Sequence, residues 1–392
     1  MPLPLYLLAM AVFAMGTSEF MLAGLLPDIA SDLDVTVGAA GMLTPAFAIG
    51  MIVGAPLMAA LARNWPGRAS LLVFVLVFSA AHAVGAATSN FPVLFITRVV
   101  SAVANAGFLA VALTTAATLV PAGNKGRALA VLLSGTTVAT IAGVPGGSIL
   151  GALLGWRATF WAIAALCLPT AIGILTGIPA GRVQQDAVYK PALRSELTQL
   201  ANPRLILVML LGALVNAATF ASFTFLAPVV TDTAGLGELW ISVTLVLFGV
   251  GSFIGVTIAG RLSDQRPGPV IAVGGPLLLL GWPTLAVLAD RPVFLLTLVF
   301  VLGVLSFALG STLITRVFYE AAGSPTMAGS YATAALNIGA VVGPLIAAAT
   351  LSTKAGGIGP LWASGLLVAI AVLVAFSFRG AIVEGRSSEV LR

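Results

Sequence analysis

Charge is what this chain has least of. Only 8% of its 392 residues are Asp, Glu, Lys or Arg, while 59% are hydrophobic and the mean hydropathy is +1.12. A soluble domain carries about 25% charged residues, so no water-facing surface can be covered from this supply and most of the exterior must meet lipid. Cysteine is nearly absent too. Cys167 alone excludes an internal disulfide framework and a cysteine metal cluster. His82 is the single histidine, which excludes a His-rich metal site, and no metal ion or cofactor is expected. The N-terminus lacks a basic n-region and a small-residue cleavage pattern, so its first apolar run is expected to remain as a span. Paired acidic motifs for metal or diphosphate chemistry are missing as well, so the chain is expected not to be an enzyme and to have no nucleic-acid partner.

What is present is a series of helix-length apolar runs. They fall at about 3–29, 38–62, 70–89, 92–120, 127–152 and 157–178, then at 203–230, 239–261, 269–289, 292–316, 326–351 and 359–379. At about 20 residues per crossing, this predicts an all-α membrane protein of twelve transmembrane helices, in two pseudo-repeated six-helix bundles. Twelve crossings put both termini on one side. Cationic residues then crowd that side: fourteen of the eighteen, among them Arg68, Lys125, Arg204 and Arg386, against Arg157, Arg291 and Lys354 opposite. The positive-inside rule makes the crowded side cytoplasmic, so a multi-pass cell-membrane protein with both termini in the cytoplasm is expected.

The one stretch that reads as soluble, Ala180 to Asn202, divides the chain. The expected organisation is a bundle over 1–179, a cytoplasmic linker over 180–202, a second bundle over 203–379 and a cytoplasmic tail over 380–392. The halves look related: an offset of 201 places Pro27 on Pro228, Gly50 on Gly251, Gly54 on Gly255 and Leu61 on Leu262. Parallel six-helix repeats with a substrate site between them are one transporter design. Small-xxx-small pairs such as Gly50/Gly54, Gly147/Gly151, Gly251/Gly255 and Gly339/Gly343 let helix backbones approach in lipid, and taken singly they mean packing.

Four features rise above packing. Glu19 sits inside the first run, where a charge costs about 2.5–3.5 kcal/mol on insertion scales; it reads as a protonatable site able to alternate between a proton and a cationic or polar substrate. Arg98 lies in the fourth run, and counting at 1.5 Å per residue puts it and Glu19 at a similar depth, roughly 10 Å below the outer surface. The fifth run, Ser134 to Trp156, combines Pro145, which should bend its helix, with Gly143, Gly146, Gly147 and Gly151, a smooth face for sealing against another helix. Between the eighth and ninth runs, GRLSDQRP joins Gly260, Arg261, Asp264 and Arg266 in a charged cluster that reads as a latch between helices. His82 reads more simply as a packing histidine. Asn216 is a candidate substrate-cavity residue, ahead of Asn337, and Asp28, Asp32 and Asp34 read as a solvated outer loop.

These motifs together resemble the major facilitator superfamily, in its twelve-helix drug:proton antiporter branch. GRLSDQRP resembles the family's loop motif in its second-half copy, GVPGG (Gly143 to Gly147) its antiporter motif, and GWRATFW (Gly155 to Trp161) the start of its sixth helix. Arg98 stands where the family's fourth helix has an arginine implicated in proton coupling. TSEFMLAGLLP, Thr17 to Pro27, is similar to the first helix of a bacterial subgroup of arabinose-efflux and chloramphenicol-resistance exporters, and Gly212 to Leu236 is similar to actinomycete chloramphenicol-resistance proteins. One departure stands out: in the first-half loop, Arg63 and Ala59 replace the acid and the glycine of the motif. The resemblance implies proton-coupled efflux of a small drug by a monomeric carrier, with the proton gradient as energy source; export of another small polar metabolite, such as a sugar, is the alternative.

Overall fold

The computed structural model describes residues 2–61, 65–121, 124–178, 198–262, 267–321 and 327–378. Among them there is no strand, and twelve helices are long and apolar enough to cross a membrane. We label these α1 (Leu3–Gly24), α2 (Val37–Met58), α3 (Gly67–Ala87), α4 (Phe91–Thr118), α5 (Arg127–Leu154), α6 (Trp156–Gly177), α7 (Pro203–Thr224), α8 (Leu239–Leu262), α9 (Pro267–Leu288), α10 (Pro292–Glu320), α11 (Ala328–Leu351) and α12 (Gly356–Ser377). Leucines and valines such as Leu153, Leu154, Leu280 and Val293 stand exposed along these helices. In a protein of this composition such side chains are lipid-facing rather than anomalous.

Local chemistry sets the breaks. The first run is not one helix: its α-helical part stops at Phe20, a 3-10 turn covers Met21–Gly24, and a separate helix spans Leu26–Asp32. Pro27 explains the restart, because it has no amide proton to give and its ring excludes the carbonyl four residues back. Glu19 therefore occupies the last α-helical turn. In α5 the effect of Pro145 appears upstream of the residue. A π-helical turn, Ala139–Gly143, widens the backbone just where the proline ring would meet the carbonyl of Ile141, and regular helix resumes at Val144. Gly155 ends that helix with φ +83°, a conformation natural to glycine.

Contacts divide the chain into two compact units, Met1–Lys190 with Thr224–Gly249, and Pro191–Phe223 with Val250–Arg392. In the first, α4 packs on α2 and α3, and α1 packs on α5 and α6. A seam of small residues lets α1 and α5 touch: a Cβ on Gly143 would collide with the Thr17 hydroxyl, one on Gly151 with Leu25, and one on Gly24 would lie 2.7 Å from Ser148 Oγ. The segment Thr224–Gly249, which the repeat assigns to the second half, groups here by contact. A Cβ on Gly41 would lie 2.5 Å from the ring of Phe225, Ser242 donates to Ser148 Oγ at 3.1 Å, and Gly249 faces the carbonyl of Thr140 with no room for a Cβ.

In the second unit, α9 packs on α10 and α12, and α11 on α12. The internal repeat is visible as contacts. Gly50 abuts Val99 and Gly54 abuts Val103 in the first unit; Gly251 abuts Phe300 and Gly255 abuts Val304 in the second, each pair shifted by 201. Gly339 and Gly343 of α11 press on the α7 backbone at Ala213 and Ala217. The packing role read from these glycine pairs is what the structure shows.

Candidate functional site

Three helices of the first unit meet around Ser18. Arg98, on α4, is 1% exposed and reaches across to α1, donating from Nη1 to Ser18 Oγ at 2.7 Å and from Nη2 to the Ser18 carbonyl at 2.9 Å. Its guanidinium carbon lies 4.5 Å from the centre of the Phe47 ring of α2, and its Nε has no hydrogen-bond partner among the described residues. Arg98 does not snorkel to the interface. Its reach brings the fourth helix at position 98 against the first helix at position 18, one residue before Glu19.

His82 of α3 completes the group. Its Nε2 lies 2.7 Å from Ser18 Oγ and its Nδ1 2.8 Å from the Phe78 carbonyl, with the rings of Phe78 and Phe160 at 4.3 and 5.7 Å between centres. A carbonyl only accepts, so Nδ1 carries the proton; in the neutral ring Nε2 then accepts from the Ser18 hydroxyl. Ser18 thus donates to His82 and accepts twice from Arg98. Residue-by-residue reading set His82 aside as packing and passed over Ser18; the only signals were that the histidine is single and that the serine adjoins the acid.

Glu19 is half-buried at the end of the α-helical part of α1. Among the described residues no ion pair joins it to Arg98. The arrangement is a buried cation held by neutral acceptors, with a carboxylate one residue further along the helix. Seven residues on from Arg98, Asn105 is 2% exposed; its amide points to Met51 Sδ at 3.7 Å and its Oδ1 has no partner among the described residues.

The remaining residues fall as follows. Gly143, Pro145, Gly147 and Gly151 are buried in the α1–α5 seam or beside it, whereas Gly146 is exposed, with open space where a side chain would go. Gly260 and Arg261 belong to the last turn of α8, while Asp264 and Arg266 lie outside the described residues, as does Arg63. Asn216 donates from Nδ2 to the Leu336 carbonyl of α11 at 2.7 Å, an interhelical bond. An apolar cavity of about 300 Å³ is lined by Leu211, Val215, Pro276, Leu309, Leu313 and Phe376 among others, and Asn216 is not part of its lining. Asn337 bonds its own helix at Thr333.

Asp28, Asp32 and Asp34 are all exposed, as the sequence reading expects of the outer loop. Asp32 forms an ion pair with Arg157 and accepts from Trp156 Nε1 at 3.2 Å, while Arg157 also donates to the Thr88 carbonyl at 3.0 Å. The Arg157 hydrogen bond holds the Asp32 carboxyl below its usual range, against the opposing effect of burial. Asp28 is shifted the other way, by burial and then by the nearby Glu238.

Comparison with known proteins agrees with this architecture. The sequence profile of the Major Facilitator Superfamily matches residues 8–334. Over 392 residues, 100% of both chains, the protein is 75% identical to a chloramphenicol resistance protein of Streptomyces lividans. Over 355 residues, 90% of both chains, it is 32% identical to the inner membrane transport protein YdhP of Escherichia coli (strain K12). Among solved structures, a bacterial homologue of the human lysosomal transporter Spinster, inward-facing and occupied, superposes with a TM-score of 0.77 at 17% identity, covering 98% of each chain. The nucleoside transporter NupG superposes at 0.75 and 13% identity, over 97% of this chain and 99% of that one. These two likenesses speak for the fold; the profile and the relatives speak for descent. With its twelve apolar helices and its two repeated sets of helix contacts, the chain belongs to the major facilitator superfamily, a family of multi-pass membrane transporters.

Proposed function

We propose that the protein exports chloramphenicol from the cytoplasm by alternating access, in exchange for protons, and thereby gives resistance to that antibiotic. The substrate rests on the Streptomyces lividans relative, whose name carries the drug and whose likeness runs the length of both chains. The coupling rests on one observation: a half-buried carboxylate in a transmembrane helix, beside a buried arginine that neutral groups hold. In this reading Glu19 takes a proton when open to the outside and releases it inward, and Arg98 sets the local charge. One proton moving through 100 mV supplies about 2.3 kcal/mol before any pH difference is counted. No cofactor is needed beyond the proton gradient, the drug leaves chemically unchanged, and the carrier works as a monomer with both termini in the cytoplasm.

The test is efflux from membrane vesicles together with a susceptibility panel in an efflux-deficient host. Expression of the native chain should raise chloramphenicol tolerance, and Glu19→Gln at matched expression should abolish gradient-driven efflux. If tolerance to chloramphenicol does not move but tolerance to a sugar or another drug does, the substrate assignment is wrong. If Glu19→Gln retains full gradient-driven efflux, Glu19 is not the coupling acid.

A further inference from the structure

Two of the three groups bonded around Ser18 lack an assigned purpose. The Arg98 fork could be satisfied in two places: on Ser18, where it lies, or on the Glu19 carboxylate one residue away. A buried guanidinium strongly favours a carboxylate partner once one is in reach, so something must favour the serine. The backbone carbonyl of Ser18 takes Nη2 in any case, but the hydroxyl can accept from Nη1 only while its own proton points elsewhere, since a hydroxyl has one hydrogen to place. His82 Nε2, at 2.7 Å, is where that proton goes, and the Nδ1 bond to the Phe78 carbonyl keeps Nε2 free to accept it. The aromatic rings of Phe78 and Phe160 fix the imidazole plane. The groups presented to the ring are Ser18 from α1, with Glu19 beside it, Arg98 beyond that from α4, and Phe160 from α6.

We propose that His82 is a positioning residue for proton coupling: through the Ser18 hydroxyl it holds the Arg98 guanidinium on α1 and clear of Glu19. The inference rests on the coupling role given to Glu19 above. Without the imidazole, the Ser18 hydroxyl rotates freely and the arginine fork moves to the acid. The carboxylate must then give up an ion pair before each proton it takes, which slows turnover without touching the drug.

The experiment is gradient-driven chloramphenicol efflux in vesicles, with kcat and KM separated. His82→Phe keeps the aromatic packing and removes the acceptor; it should lower kcat about tenfold and leave KM within about twofold. His82→Gln places an amide oxygen where Nε2 stands and should restore most of kcat. Ser18→Ala should reproduce the loss, and the double variant Ser18→Ala/His82→Phe should be no worse than either single one, because both cut the same link. An unchanged kcat in His82→Phe, an equal loss in His82→Gln, or single effects that multiply in the double variant each overturn the proposal. Glu19→Gln run alongside separates the two readings. Full efflux in that variant removes the coupling assignment itself, whereas its failure together with an unaffected His82→Phe removes only the role of His82.

Discussion

At the scale of single residues, two polar clusters stand out in the first unit. One is the Ser18 group; the other is the outer edge, where Asp32, Trp156, Arg157 and Thr88 tie the loop after α1 to the ends of α3 and α6. Both members of the outer ion pair keep a third or more of their side-chain surface exposed, so the pair is worth at most about 1 kcal/mol. Its pH dependence has a definite sign. A carboxyl held below its unfolded pKa stabilises the fold above that value and loses the contribution as pH falls through the folded one. Asp32→Asn should therefore lower the thermal midpoint slightly near neutral pH, and its difference from the native protein should close below about pH 4. Thermal unfolding in detergent across that range checks it. Glu19 and Arg98 were readable from sequence because a charge inside an apolar run has few innocent explanations. Ser18 and His82 were not, because their meeting depends on how three helices are rotated about their own axes, and apolar periodicity in lipid-facing helices barely encodes that rotation.

At the scale of elements, α5 shows how a motif divides its labour. Its glycines look alike in sequence, but they meet different things. Gly143 takes Thr17 of α1, Gly151 takes Leu25 just beyond it, Gly147 meets Thr159, and Gly146 faces open space. Sequence reading treated the run as one smooth face and expected a bend at Pro145; the structure places the irregularity one turn earlier, as a π-helical turn. Close backbone approach also links α8 to that turn, where Gly249 meets the Thr140 carbonyl. A methyl group there has no way to move aside, since its neighbour is backbone. Gly249→Ala should destabilise the protein by about 1–3 kcal/mol, as overpacking does, whereas Gly146→Ala should hold or raise stability by up to about 1 kcal/mol through helix propensity. Thermal midpoints of the two purified variants, measured side by side, test the contrast.

At the scale of the molecule, the twelve crossings and the repeat were legible because they rest on run length and on glycine spacing, both carried by many residues at once. The proposed orientation follows from the distribution of Lys and Arg. A fluorescent reporter fused after Arg392 should fold and fluoresce in the cytoplasm, while a periplasm-dependent enzyme fused at the same point should stay inactive; the reverse pattern would invert the topology. The grouping of Thr224–Gly249 with the first unit was not legible, because it arises from contacts such as Phe225 on Gly41 and Ser242 on Ser148 that no local pattern announces.

The offset of 201 has one more consequence. Where the first copy has Ser18, Glu19, His82 and Arg98, the second has Thr219, Phe220, Pro283 and Val299. At these four positions the repeat is symmetric in backbone and asymmetric in chemistry: the groups proposed above for proton coupling have no counterpart in the second copy.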